Sequence, residues 1–141
     1  MGAAILMLAG MLAFDDPPKD VINFFASMTS ALVDAGRDLN ARERQPLRDA
    51  ADFLQYFDPS MPGYAEFSSQ IQDMVGAGEV QTTIDFVSTE GDDRKRVLDL
   101  DWVLTPEGQR PKRAVIKCTI EKHGRKWKVT SIAPIDFFKR D

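Results

Sequence analysis

An α+β domain, three helices packed on one face of a four-stranded antiparallel sheet, is the fold class this sequence predicts. Two observations predict it. Apolar residues recur every three to four positions before Gly78, and every second position after it. The helical stretches all come first, and the alternating stretches then follow one another through short turns. That order segregates the helices to one side of a meander.

Met1 to Phe14 (MGAAILMLAGMLAF) contains no charged residue. It is shorter than the roughly twenty apolar residues that span a bilayer. It has the length of a signal-peptide apolar region, with the small Ala9, Gly10 and Ala13 near its end. The basic residues that should precede such a region are missing, which a start codon assigned too late explains. We read residues 1–14 as a signal-peptide-like segment and residues 15–141 as a single domain exported to the periplasm or beyond. The alternative is an apolar first helix packed on the core or on another subunit, in a cytoplasmic chain.

Asp15 and Asp16 before Pro17-Pro18 form a helix start, since Asp caps well and proline is tolerated in the first turn. The helix runs to about Ala35, with Val21, Phe24, Phe25, Met28 and Leu32 on one face. Gly36 is expected to end it in a left-handed conformation. Arg37 to Arg44 is a charged loop. Pro46 opens a second helix carrying Leu47, Ala50, Ala51, Leu54 and Phe57, and Asp58-Pro59 stops it. After the rigid Pro59–Gly63 link, a third helix spans about Tyr64 to Val75, with Phe67, Ile71, Met74 and Val75 on one side. Gly76 and Gly78 end it.

Four strands follow. Val80, Thr82, Ile84 and Phe86 share a face; so do Leu98, Leu100, Trp102 and Leu104; so do Ala114, Ile116, Cys118 and Ile120. Asp85, Asp99 and Asp101 alternate with them and point outward, towards partners such as Lys117. Glu90–Asp93 and Pro106–Gly108 are turns, and His123-Gly124 closes a hairpin before Trp127 and Val129. The alternation slips near Ser131-Ile132, which predicts a bulge.

Composition narrows the function classes. The chain has 141 residues, 28% of them charged, and a net charge of −4, ordinary for one soluble domain. The basic runs Arg110–Arg113 and Lys122–Lys126 sit at predicted strand ends and turns, where charge is solvated, so nucleic-acid binding is not expected. A single cysteine allows no internal disulfide, and one Cys with one His allows no Cys/His zinc site. Cys118 reads as a small buried residue. Glu90, Asp92 and Asp93 lack calcium-loop spacing and read as an acidic turn. Neither a metal nor a cofactor is expected.

The closing hairpin Glu121-Lys122-His123-Gly124-Arg125-Lys126-Trp127-Lys128-Val129, after three helices and a meander, resembles the nuclear transport factor 2-like superfamily. Phe57–Tyr64 (FDPSMPGY) and Pro134–Phe138 (PIDFF) are similar to a bacterial, often exported branch of it. The resemblance covers residues 17–138. It implies a cone, a strongly curved sheet folded around the helices, with a cavity at one end. The superfamily includes ketosteroid isomerase, dehydratases, ring-hydroxylating dioxygenase subunits and many non-catalytic modules, so fold alone does not fix function.

Such a cone would be lined by Phe25, Met28, Tyr64, Phe67, Phe86, Leu100, Trp102 and Ile116, with Met74 nearby. Residues of this kind at this spacing form either plain core or the wall of a site for a small apolar ligand. An isomerase-like site would need an Asp base with a Tyr donor. Tyr56 and Tyr64 are the tyrosines, but Asp85, Asp99 and Asp101 face away. A dehydratase-like site would need inward histidines, and the one histidine, His123, lies in a turn. No catalytic residue is assigned. The expectation is a non-enzymatic exported module that holds a small apolar ligand or a partner protein. A homodimer through the sheet face goes with it. The rival is a small isomerase or dehydratase.

Overall fold

The computed structural model describes residues 17–37 and 46–139. The apolar segment 1–14, the Asp15-Asp16 cap and nearly all of the loop 37–44 lie outside the described residues, as does the side chain of Leu47. The elements are α1 (Lys19–Arg37), α2 (Pro46–Leu54), α3 (Tyr64–Ala77), β1 (Val80–Gly91), β2 (Lys95–Pro106), β3 (Lys112–His123), β4 (Lys126–Ala133) and a closing 3₁₀ turn, Ile135–Phe138. The sheet is an antiparallel meander in the order β1-β2-β3-β4. Three helices therefore cover one face of a curved four-stranded sheet.

The first and third helices bury the faces their periods mark; in α2, Ala50 and Leu54 are buried as expected, but Ala51 is exposed and Phe53, outside the expected face, is buried. Val21, Phe25, Met28 and Leu32 of α1 are buried, as are Phe67, Ile71, Met74 and Val75 of α3. From the sheet, Leu98, Leu100, Trp102, Leu104, Ile116, Cys118 and Ile120 meet them. Rings fill the centre. Phe138 stands edge-on to both Trp102 and Phe67 at centroid distances of 5.0 Å. Phe57 and Phe67 are 4.6 Å apart, and Phe53 packs on Phe57 at 5.1 Å. The Trp102 indole N–H, buried among them, donates to the Thr82 hydroxyl at 2.6 Å, so no unpaired donor is left there.

Two bulges bend the sheet, because an extra residue on one strand increases local twist. One lies on β1 at Val87, between Phe86 and Ser88, and was not visible in the alternation. The other is at Thr130 on β4, one residue before the expected slip.

Three local expectations are corrected. Phe57 does not extend the second helix, which ends at Leu54. Residues 56–58 instead run beside β4: the Val129 N–H donates to the Tyr56 carbonyl at 2.9 Å, and the Asp58 N–H donates to the Val129 carbonyl at 2.8 Å. Pro59 forces its predecessor into an extended conformation, which favours this pairing over another helical turn. Gly36 lies inside α1 rather than beyond it. A Cβ there would stand 2.7 Å from the Gly78 carbonyl oxygen and 2.9 Å from the Val80 nitrogen. A close helix–strand approach, not a left-handed cap, is what demands glycine. Gly76 does not end α3, which continues to Ala77.

Candidate functional site

A groove of about 340 Å³ opens where the first turns of α1, the end of α2 and the β3–β4 hairpin meet. α1 contributes Asp20 and Phe24. The turn after α2 contributes Gln55 and Tyr56. The hairpin contributes Arg125, Lys126, Trp127 and Lys128. The local sequence explains the convergence. Gly124, at φ 69°, makes a two-residue turn between His123 and Lys126. That tight turn carries the basic run to the rim and points Trp127 inward.

The groove's walls are tied to one another. The Trp127 indole N–H donates to Asp20 Oδ2 at 2.9 Å. The Lys122 ammonium lies 3.4 Å from the same oxygen and 5.1 Å from the centre of the Trp127 ring. The indole hydrogen bond, with Lys122 beside it, holds the Asp20 carboxyl below its usual range. Lys128 donates to the Gln55 carbonyl, satisfying an orphan acceptor near the end of α2. The Phe24 and Tyr56 rings meet edge-on at 5.6 Å. Asp58, close by, accepts from the Ser60 N–H and hydroxyl at 2.8 and 2.7 Å and faces His123 at 3.7 Å. The Ser60 hydrogen bonds hold its carboxyl low.

The eight residues expected to line a cavity are placed as follows. Phe25, Met28, Phe67, Leu100, Trp102 and Ile116 are all 0–2% exposed and belong to the central core. Phe86 is partly buried and meets Phe25 edge-on at 5.6 Å. Tyr64 is partly buried at the edge of a second hollow of about 380 Å³, beside Phe57 and Lys128. A third hollow, of about 530 Å³, runs between α1 and α2 over small residues and Asp34 and Asp52. A ligand among the six buried residues would have to displace a packed side chain.

The strand aspartates stand on the outer face. Asp101 receives the Arg113 guanidinium at 2.9 and 2.5 Å, which holds its carboxyl low. Asp99 lies opposite Lys117, 3.5 Å away, and accepts from the Ser88 hydroxyl at 2.9 Å. Asp85 is exposed, paired in register with Asp101. Cys118 is buried, and burial pushes its thiol far up, so it is not a nucleophile. Among the described residues no group of three or more His, Cys, Asp or Glu side chains could hold a metal ion. No described helix is long and apolar enough to cross a membrane. The expected turn at Glu90–Asp93 is shorter and later: Glu90 and Gly91 still pair in β1, and the chain turns over Asp92–Arg94, where Asp92 Oδ1 accepts the Arg94 and Lys95 N–H groups at 2.9 and 3.0 Å.

Of the groove's residues, the sequence marks only Tyr56 as a candidate, as the Tyr donor of an isomerase-like site. The signal lay in the basic hairpin run, where Trp127 interrupts the cations; it was read as solvated charge because a strand pattern does not show which helix end the hairpin meets.

No protein-family model matches the sequence, and no curated protein matches it. Solved structures are similar in fold. Bd1075 of Bdellovibrio bacteriovorus matches with a TM-score of 0.61 at 12% identity, over 81% of this chain and 38% of its own, so the chain spans well under half of that protein. A nuclear transport factor 2-like protein of unknown function from Shewanella oneidensis matches with a TM-score of 0.55 at 11% identity, over 81% of this chain and 94% of its own. A protein of unknown function with a cystatin-like fold, from Nostoc punctiforme, matches with a TM-score of 0.56 at 12% identity, over 81% and 86%.

Proposed function

We propose that this chain, which has the nuclear transport factor 2-like fold, is a non-enzymatic bacterial binding module, exported from the cytoplasm, that holds a small ligand in the groove at the rim of its cone. One observation carries this reading. The cone's interior is occupied by its own rings, whereas the rim offers an open aromatic floor of Phe24, Tyr56 and Trp127. Of the buried residues expected to touch a ligand, Phe25 packs edge-on against Phe24 of that floor at 5.1 Å. The enzymatic alternative needs a carboxylate inside an apolar pocket within reach of Tyr56 or Tyr64. Asp85, Asp99 and Asp101 stand outside, which favours binding over catalysis.

Native mass spectrometry of the protein taken from the envelope fraction of its bacterial host tests this. The expected species is a chain cut near Phe14 that carries a noncovalent small-molecule adduct. An intact, adduct-free chain recovered from the cytosol overturns it.

A second reading, compatible with the first, concerns the outer sheet face. Val115 is 58% exposed and Val87 41% exposed there. Acidic residues lie on β1 and β2 (Asp85, Asp99, Asp101) and basic ones on β3 (Arg113, Lys117). Asp101 and Asp99 already pair with Arg113 and Lys117 within the chain, so the exposed valines are what a two-fold related copy would cover. We propose a homodimer through this face.

A further inference from the structure

We infer that the rim groove selects a planar aromatic anion, a one- or two-ring compound bearing a carboxylate. The inference rests on the groove being the binding site and adds the chemistry of what it takes. Four features carry it. The first is charge. The chain is net −4, yet the groove is lined by Arg125, Lys126 and Lys128 against one carboxylate, Asp20. The second is availability. Asp20 is engaged by Trp127 and Lys122, and Lys128 by the Gln55 carbonyl. Arg125 and Lys126 are exposed, and neither side chain pairs with a carboxylate among the described residues. Two cations therefore remain free to receive an anion at the groove's mouth.

The third feature is the floor. Phe24, Tyr56 and Trp127 present ring surface to the same hollow, and Lys122 over Trp127 fixes the indole plane. A flat apolar ligand body can lie against these rings, as aromatic pairs favour offset or edge-on contact. The fourth is size. At about 340 Å³ the hollow is at the small end of the roughly 300–1,000 Å³ of ligand pockets, which suits one or two fused rings. A cation of the same shape would face unpaired Arg125 and Lys126, so the same groups that attract a carboxylate reject an ammonium.

Heteronuclear NMR of the full-length protein, titrated separately with 1-naphthoate and with its cationic shape analogue 1-naphthylmethylammonium, tests the inference. Naphthoate is expected to shift the Trp127 indole N–H and the Lys126 amide saturably, with the cation about tenfold or more weaker. Reversing both charges (Arg125→Glu with Lys126→Glu), at exposed positions at the tip of the β3–β4 hairpin, is expected to abolish or invert that preference. Equal binding of both probes at Trp127 overturns the anion preference and leaves the groove as a binding site. No saturable shift at Trp127 with either probe overturns both readings. An unchanged preference in the charge-reversed variant also overturns the assignment of Arg125 and Lys126.

Discussion

Asp20 shows how one side chain can hold two elements together. Its carboxylate accepts the Trp127 indole N–H and faces Lys122, so the start of α1 is fastened to the β3–β4 hairpin. Its carboxyl titrates lower in the fold than the ordinary value of 3.8. The unfolded chain therefore takes up the proton first as pH falls. The stabilisation is complete above the ordinary value and is lost as pH drops through the lower, folded one. Because the side chain is 52% exposed, the effect is small, no more than about 1 kcal/mol. Asp20→Asn is expected to be less stable than the parent in urea unfolding at neutral pH, with the gap closing below pH ~4. A gap that stays constant through the acid range would sink this account. Phe24 is legible in the sequence as part of an apolar helical face and Tyr56 as one of two tyrosines; that their rings meet follows from a turn and a β bridge with no local signature.

Among the elements, α1 and the start of β1 approach closely, and two glycines there and nearby behave oppositely. A Cβ at Gly36 meets backbone atoms of Gly78 and Val80 at 2.7 and 2.9 Å, and these cannot rotate away. Gly36→Ala is expected to destabilise the protein by about 1–3 kcal/mol, outweighing the gain in helix propensity. Gly76 lies exposed in α3, and a Cβ there meets nothing within 4 Å. Gly76→Ala should stabilise by about 0.5–1 kcal/mol. Thermal or denaturant unfolding of the two variants checks the opposite signs; two changes of the same sign would refute the close-approach argument. Neither role can be told from sequence, where both glycines look like helix ends.

For the molecule as a whole, the proposed pairing through the outer sheet face is the testable feature. The exposed Val115 and Val87 of that face are the side chains that the proposed homodimer would bury. Sedimentation equilibrium of the full-length protein is expected to give twice the chain mass, and Val115→Lys is expected to return a folded monomer. A monomeric parent at high micromolar concentration rules the dimer out. The groove lies elsewhere, at the hairpin end, so such a pairing leaves it open.

The sequence by itself determined the layers. A switch of apolar period at Gly78 assigned helices and strands, and the strict alternation of Leu98–Leu104 with Asp99 and Asp101 assigned the two faces of the sheet, because side-chain direction along a strand or helix is a local consequence of backbone geometry. The Lys117 partner of Asp99 was legible for the same reason. Only the tertiary structure decided that Phe138 fills the cone against Trp102 and Phe67, that Phe57 leaves its helix to run beside β4, and that Trp127 reaches Asp20 across 107 residues. Those outcomes depend on where bulges bend the sheet and which helix end the hairpin meets. Contacts between distant segments are set by packing in three dimensions, and no periodicity within a single segment encodes them.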